Sequence, residues 1–155
     1  MRTSTQLSDA LHIMAYIAIF QKNGDLSSTA IAGSVHTNPT NVRKIMGKLK
    51  KAGLLKTTNG QAAPALTRST RLISFYDVAC ALGEGSLFKV DAQTEPQCIV
   101  GGNIQEALSS EYAILQATVA AKMKELTLAD VLCQLAWLET NKHPENRTLL
   151  AEFLV

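Results

Sequence analysis

The chain has 155 residues, 46% of them hydrophobic and 18% charged. That is enough to bury a core without a metal or disulfide, and too apolar for a disordered segment. No apolar run approaches the ~20 residues needed to span a bilayer, Met1–Gln6 shows no secretory signal, and three cysteines argue against a secreted disulfide framework, so a cytoplasmic protein is expected. The formal net charge of +2 conceals a division, because residues 1–76 carry net +8 and residues 77–155 net −6.

The first predicted element is a helix from about Leu7 to Lys22, closed by Asn23-Gly24-Asp25, with enough apolar residues to be buried on most sides. Ser27 caps a short second helix carrying Ile31, Ala32 and Val35. Asn38-Pro39 opens the third helix, since Asn accepts from free amides and Pro lacks the N–H that would go unpaired at the first position. Val42, Ile45, Met46 and Leu49 follow at helical spacing, and Gly53 ends the element. Residues 54–58 and 65–67 read as two short strands around the turn-rich stretch 59–64. Ser74 and Asp77 form a capping-box signature for a helix through Leu82. Gly83–Gln97 is irregular. Asn103 with Glu106 is expected to cap a long helix over about 103–125. Thr127 with Asp130 repeats the signature for a helix ending before His143-Pro144, and Glu145–Val155 is either helical or loose.

Three helices, a two-strand wing and a further helix spell a winged helix-turn-helix. The fold class is mainly α with a small β-wing, followed by a long helix. The expected divisions are 1–83 for the winged domain, 84–102 for a linker, 103–126 for a dimerisation helix and 127–155 for the C-terminal helix and tail.

Between Leu26 and Tyr76 there is no Asp or Glu, but there are eight cations: Arg43, Lys44, Lys48, Lys50, Lys51, Lys56, Arg68 and Arg71. Such a field attracts a polyanion, and double-stranded DNA is the expected partner. The low aromatic content argues against a single-strand surface built on stacked rings. In a helix-turn-helix the second helix of the motif enters the major groove. Asn38, Thr40, Asn41 and Arg43 are then the candidate base readers, because Asn pairs with adenine and Arg with guanine. Asn38 serves equally well as a simple cap. Lys44 reads or clamps, and Gly47 lets backbone approach closely. Lys48, Lys50, Lys51 and Lys56 are expected at phosphates, or else as solvated surface charges. Ser28, Asn59 and Arg68 complete the DNA-facing set.

The run 26–35, then Thr37-Asn38-Pro39, Val42-Arg43-Lys44-Ile45-Met46, Leu49–Leu55, Ile73–Val78 and Cys98-Ile99-Val100-Gly101 together resemble the Rrf-two family of bacterial winged-helix transcriptional regulators. The resemblance runs from about residue 7 to 135. It implies a homodimeric DNA-binding repressor on a pseudo-palindromic operator, with the long helix making most of the dimer contact through Ile104, Leu108, Tyr112, Leu115, Val119 and Met123. By spacing alone that stripe reads first as an ordinary core face. Two features depart from the family. Cluster-binding relatives carry three cysteines just before the long helix, whereas this chain has Cys98 alone there, so no iron–sulfur cofactor is expected. The wing carries Thr58-Asn59-Gly60-Gln61 where many relatives have an Arg-led Gly-rich turn, and Arg68 or Arg71 is the candidate substitute.

Cys98, just ahead of a capped helix, reads first as a small buried or partly buried hydrophobe, with a redox-active thiol as the alternative. Cys80 and Cys133 are expected in the core, His12 in the core or an interface, and His36 near a phosphate. No metal-ligand spacing, nucleophile–base pair or phosphate loop is present, so the protein is not expected to be an enzyme. The identity of any protein or small-molecule effector is open. The competing reading is a winged-helix module that recruits a cytoplasmic protein partner. No membrane association is expected.

Overall fold

The computed structural model describes residues 5–57 and 63–154. The elements in chain order are α1 (Gln6–Phe20), α2 (Ser28–Val35), α3 (Pro39–Lys51), β1 (Leu55–Thr57), β2 (Pro64–Leu66), α4 (Phe75–Leu82), α5 (Ile104–Glu125), α6 (Leu128–Lys142) and a short α7 (Arg147–Leu150). Single 3-10 turns at Thr70–Leu72, Pro144–Asn146 and Ala151–Phe153 complete the set.

Helix α1 is the hub. Its apolar residues do not keep to one strip, and Ala10, Ile13, Met14, Ala15 and Ile17 are all buried. They meet Ile31 and Ala32 of α2, Val42, Ile45 and Leu49 of α3, and Val78 of α4 in one core cluster. Each large side chain taken fully out of water there contributes about 1.5–3 kcal/mol. The cluster also takes in Leu128 and Leu132, so α6 returns to the winged domain's core after α5 has left it. The N–H of Phe75 donates to the Leu126 carbonyl at 2.9 Å and that of Leu128 to the Ile73 carbonyl at 2.9 Å, an antiparallel junction that stitches α6 beside the start of α4.

Local sequence signals explain the helix ends. Ser27 accepts from the Ala30 N–H, Asn38 from the Asn41 N–H, and both Ser74/Asp77 and Thr127/Asp130 form complete capping boxes. The start of α5 differs from expectation. Asn103 makes no cap bond and instead sends its side-chain N–H back to the Ile99 carbonyl at 2.7 Å, tying the helix to the turn before it. The tail is helical turns and not loose chain, held by buried Leu150 and by Phe153 against the core.

The antiparallel wing pairs Leu55 with Leu66, Lys56 with Ala65 and Thr57 with Pro64. An isolated hairpin of this size is marginal. It is anchored by buried Leu54 and Leu55, by the Thr67 hydroxyl on the Gly53 carbonyl at 2.6 Å, and by the Thr67 N–H on the Leu54 carbonyl at 3.2 Å. Gly53 adopts φ +74°, which lets α3 turn directly into β1.

Candidate nucleic-acid interface

Helix α3 is amphipathic. Val42, Ile45 and Leu49 are buried, while Thr40, Arg43, Lys44, Gly47, Lys50 and Lys51 are exposed and form one continuous strip on the opposite side. At its first turn, Asn38 Oδ1 accepts from the Asn41 N–H at 2.8 Å and Asn41 Nδ2 donates to Thr37 Oγ1 at 3.2 Å. Asn38 therefore spends its carbonyl oxygen on the cap, while Asn41 keeps its own side-chain oxygen open as an acceptor.

Arg43 spans the two helices of the motif. Its guanidinium donates to Ser28 Oγ at 2.9 Å and to Thr40 Oγ1 at 3.3 Å. Three of its five N–H groups remain for a ligand, in a direction fixed by those two bonds. Lys50 donates to Thr57 Oγ1 at 2.6 Å and so links α3 to β1. Between α2, α3 and β1 lies a concavity of about 410 Å³, floored by Leu26, Met46 and Leu55 and edged by Ser28, Arg43, Gly47 and Lys50.

Lys44, Lys51, Lys56 and Arg71 are exposed, and their side chains have no hydrogen bond or ion pair among the described residues. Two other expected contacts are engaged within the protein. Lys48 sits at the edge of the strip, half-buried, and its ammonium donates to Gln6 Oε1 at 2.9 Å and to the Leu82 carbonyl at 3.1 Å. Arg68 pairs with Asp77 at 3.6 Å, the acid that completes the α4 capping box. Asn59, with Thr58, Gly60 and Gln61, lies outside the described residues.

The stripe expected for dimer contact is divided. Ile104, Leu108, Tyr112, Val119 and Met123 are half-buried against the chain itself, with Tyr112 stacked on Phe88 at 5.7 Å. Of the six, Leu115 is the one that is open, at 47% exposure, next to Ile114 at 63%. Helix α4 and the segment before α5 pack against much of the stripe that the spacing marked.

The cysteine expectations need correction. Cys80 and Cys133 are exposed, because the buried sides of their helices are formed by Val78, Ala79 and Leu82 and by Leu128, Leu132 and Ala136. His12 is exposed too, with Nε2 at 2.9 Å from Ser34 Oγ, and is not a core residue of the subunit. His36 is exposed at φ +61° and closes α2. Cys98 is exposed, and backbone N–H groups of Gly101 and then Val100 hold its thiol pKa below the ordinary value.

Residues 3–134 match the Rrf2 family, described as "Iron-dependent Transcriptional regulator". The chain belongs to the Rrf2 family. YwnA of Bacillus subtilis (strain 168), provisionally named an HTH-type transcriptional regulator, is 33% identical over 130 residues, 83% of this chain and 96% of that one. A crystal structure of a provisionally assigned DNA binding protein aligns with TM-score 0.68 at 32% identity, covering 82% of this chain and 98% of its own. CymR (YrzC), the global cysteine regulator of B. subtilis, aligns with TM-score 0.62 over 84% of this chain and 95% of its own; at 22% identity that likeness concerns the fold. The chain is thus a transcriptional regulator with a DNA-binding winged helix, and not an enzyme.

The iron in the Rrf2 description can be tested against the donors of this chain. The segment before α5 offers one thiol, and among the described residues no three His, Cys, Asp or Glu side chains gather at a common point. That donor set does not fit a cluster held by several thiolates. Among the described residues, no helix is long and apolar enough to cross a membrane.

Proposed function

We propose that this Rrf2 protein is a homodimeric repressor that works in the cytoplasm without an iron–sulfur cluster and reads a pseudo-palindromic operator, one α3 in the major groove of each half-site. The observation that carries the reading is the outer strip of α3, where Thr40, Arg43, Lys44, Gly47, Lys50 and Lys51 stand together in an interval without a single acid. Asn41 and Arg43 are the base readers, with Thr40 beside them. Lys44, Lys51 and Lys56 hold phosphates, and Ser28 orients Arg43. Subunits meet along α5, where Ile114 and Leu115 leave an apolar ridge exposed to water. Cys98, reached from solvent and with its thiolate favoured by two backbone amides, gives the regulator a thiol through which oxidants can act.

Selection of bound DNA from a genomic pool, followed by titration of the selected site, tests this. If the dimer neutralises roughly six phosphates, log affinity falls with log salt at a slope of about −5. Arg43→Ala is expected to lose ~1–3 kcal/mol on the selected site and relax its base preference, while Lys51→Ala weakens all sequences alike. No salt-sensitive, sequence-selective binding under either reducing or oxidising conditions would overturn the proposal and favour a protein-recruiting module.

A further inference from the structure

The winged domain and α5 are joined by the segment 83–103, and two side chains from different elements grip its beginning. At its start, Lys48 of the reading helix donates to the Leu82 carbonyl at 3.1 Å, a partial negative charge at the end of α4. The same ammonium donates to Gln6 Oε1 at 2.9 Å, so α1, α3 and α4 converge on one cation. Gly83 then turns the chain at φ +81°, a conformation that suits glycine. A few residues on, Gln116 of α5 uses both ends of its amide: Nε2 donates to the Gly85 carbonyl at 2.6 Å, and Oε1 accepts from the Leu87 N–H at 2.8 Å. Residues 82–87 are therefore tied to the reading helix by Lys48 and to α5 by Gln116.

A cation facing DNA gains nothing from turning inward onto a helix terminus, whereas a cation that fixes the angle of α3 gains two bonds by doing so. We propose that Lys48 and Gln116 are paired positioning residues that set the half-site spacing this regulator accepts. The inference rests on the dimer reading above. In a dimer, the separation of the two reading helices follows from how rigidly each winged domain is fixed to its own α5. Operators place their half-sites about one helical turn, ~10–10.5 base pairs, apart. A loosened joint leaves each half-site legible but lets the two reading helices adapt to other spacings.

The experiment uses the full chain and the selected operator, rebuilt with its natural spacer, with one base pair added, with one removed, and as an isolated half-site. The wild type, Lys48→Met, Lys48→Arg and Gln116→Leu are titrated on each, with sedimentation reporting the oligomeric state. Lys48→Met and Gln116→Leu are both expected to bind the isolated half-site as the wild type does, with an unchanged salt slope. Their preference for the natural spacer is expected to fall about tenfold, the scale of one lost hydrogen bond from the charged Lys48 or of the two neutral bonds made by Gln116. Lys48→Arg, which keeps a donor for the Leu82 carbonyl, restores most of the preference. If Lys48→Met instead reduces the salt slope by about one and weakens every spacing equally, Lys48 is a phosphate contact and the inference fails. Should Lys48→Met not fold, Gln116→Leu decides, since Gln116 lies outside the winged domain's core. Unchanged spacing preference in a dimeric Gln116→Leu protein overturns the joint alone; a monomeric wild type blind to spacing overturns the dimer reading and the joint with it.

Discussion

Gly47→Ala separates what the fold needs from what DNA needs. Gly47 lies inside α3, between Arg43 and Lys51 one turn to either side, and a methyl group added to it would meet nothing within 4 Å. A helix-interior glycine is disfavoured by ~0.8–1.0 kcal/mol relative to alanine. No internal contact recovers that loss, so Gly47→Ala should stabilise the isolated protein by about 1 kcal/mol and raise its melting temperature by ~2–4 °C. Facing a groove wall, the same methyl group holds the backbone off the bases and lengthens the contacts of Arg43. Losing one good base contact corresponds to ~1–3 kcal/mol, so operator affinity should fall about tenfold or more. Thermal denaturation and fluorescence anisotropy on one preparation read both effects, and Gly33→Ala in α2, where an added methyl also meets nothing, controls for stability. A stabilised Gly47→Ala protein with unchanged operator affinity would refute the claim that this strip of α3 enters a groove. A lower melting temperature would refute the packing argument.

The remaining expectations concern thiols, iron and acid. Because the Gly101 and Val100 amides depress the Cys98 pKa, alkylation at neutral pH should label Cys98 before Cys80 and Cys133, as read by peptide mass spectrometry; equal labelling would remove the amides' effect. Anaerobic reconstitution with iron and sulfide should leave the protein without visible charge-transfer absorption, and a stoichiometric cluster would contradict the donor argument. The Thr127 N–H holds the Asp130 carboxyl below its ordinary pKa. A depressed folded-state value means that Asp130 contributes stability above the ordinary carboxylate range and loses it as pH falls through the folded value. Asp130→Asn should therefore flatten the acid limb of the melting temperature against pH, and an unchanged limb would exclude the capping box as its source.

Much of the local structure was legible because its causes are local. Ser27, Asn38, Ser74 and Thr127 each carry the oxygen that caps a helix, and Val42, Ile45 and Leu49 recur at the helical period, so the ends of α2, α3, α4 and α6 follow from short-range chemistry. Asn103 shows the limit: the same residue type at a helix start bonds the preceding turn at Ile99 and leaves the cap unmade.

The order of elements, the acid-free interval and most of the outer strip of α3 (Thr40, Arg43, Lys44, Gly47 and Lys51) were determined by the sequence alone, since each depends on residue type and spacing along a single helix or segment. Asn41 and Lys48, expected in the strip, are instead half-buried, and Lys50 is exposed in it. The tertiary structure decided which cations stay free and which the protein itself engages, Lys48 at the end of α4 and the exposed Arg68 at Asp77. It also decided which side of α5 its own chain covers, and that Cys80 and Cys133 face solvent. The reason is physical: a helical period defines a face but not its neighbour, and an ammonium or thiol takes its role from whatever distant backbone the fold brings within reach.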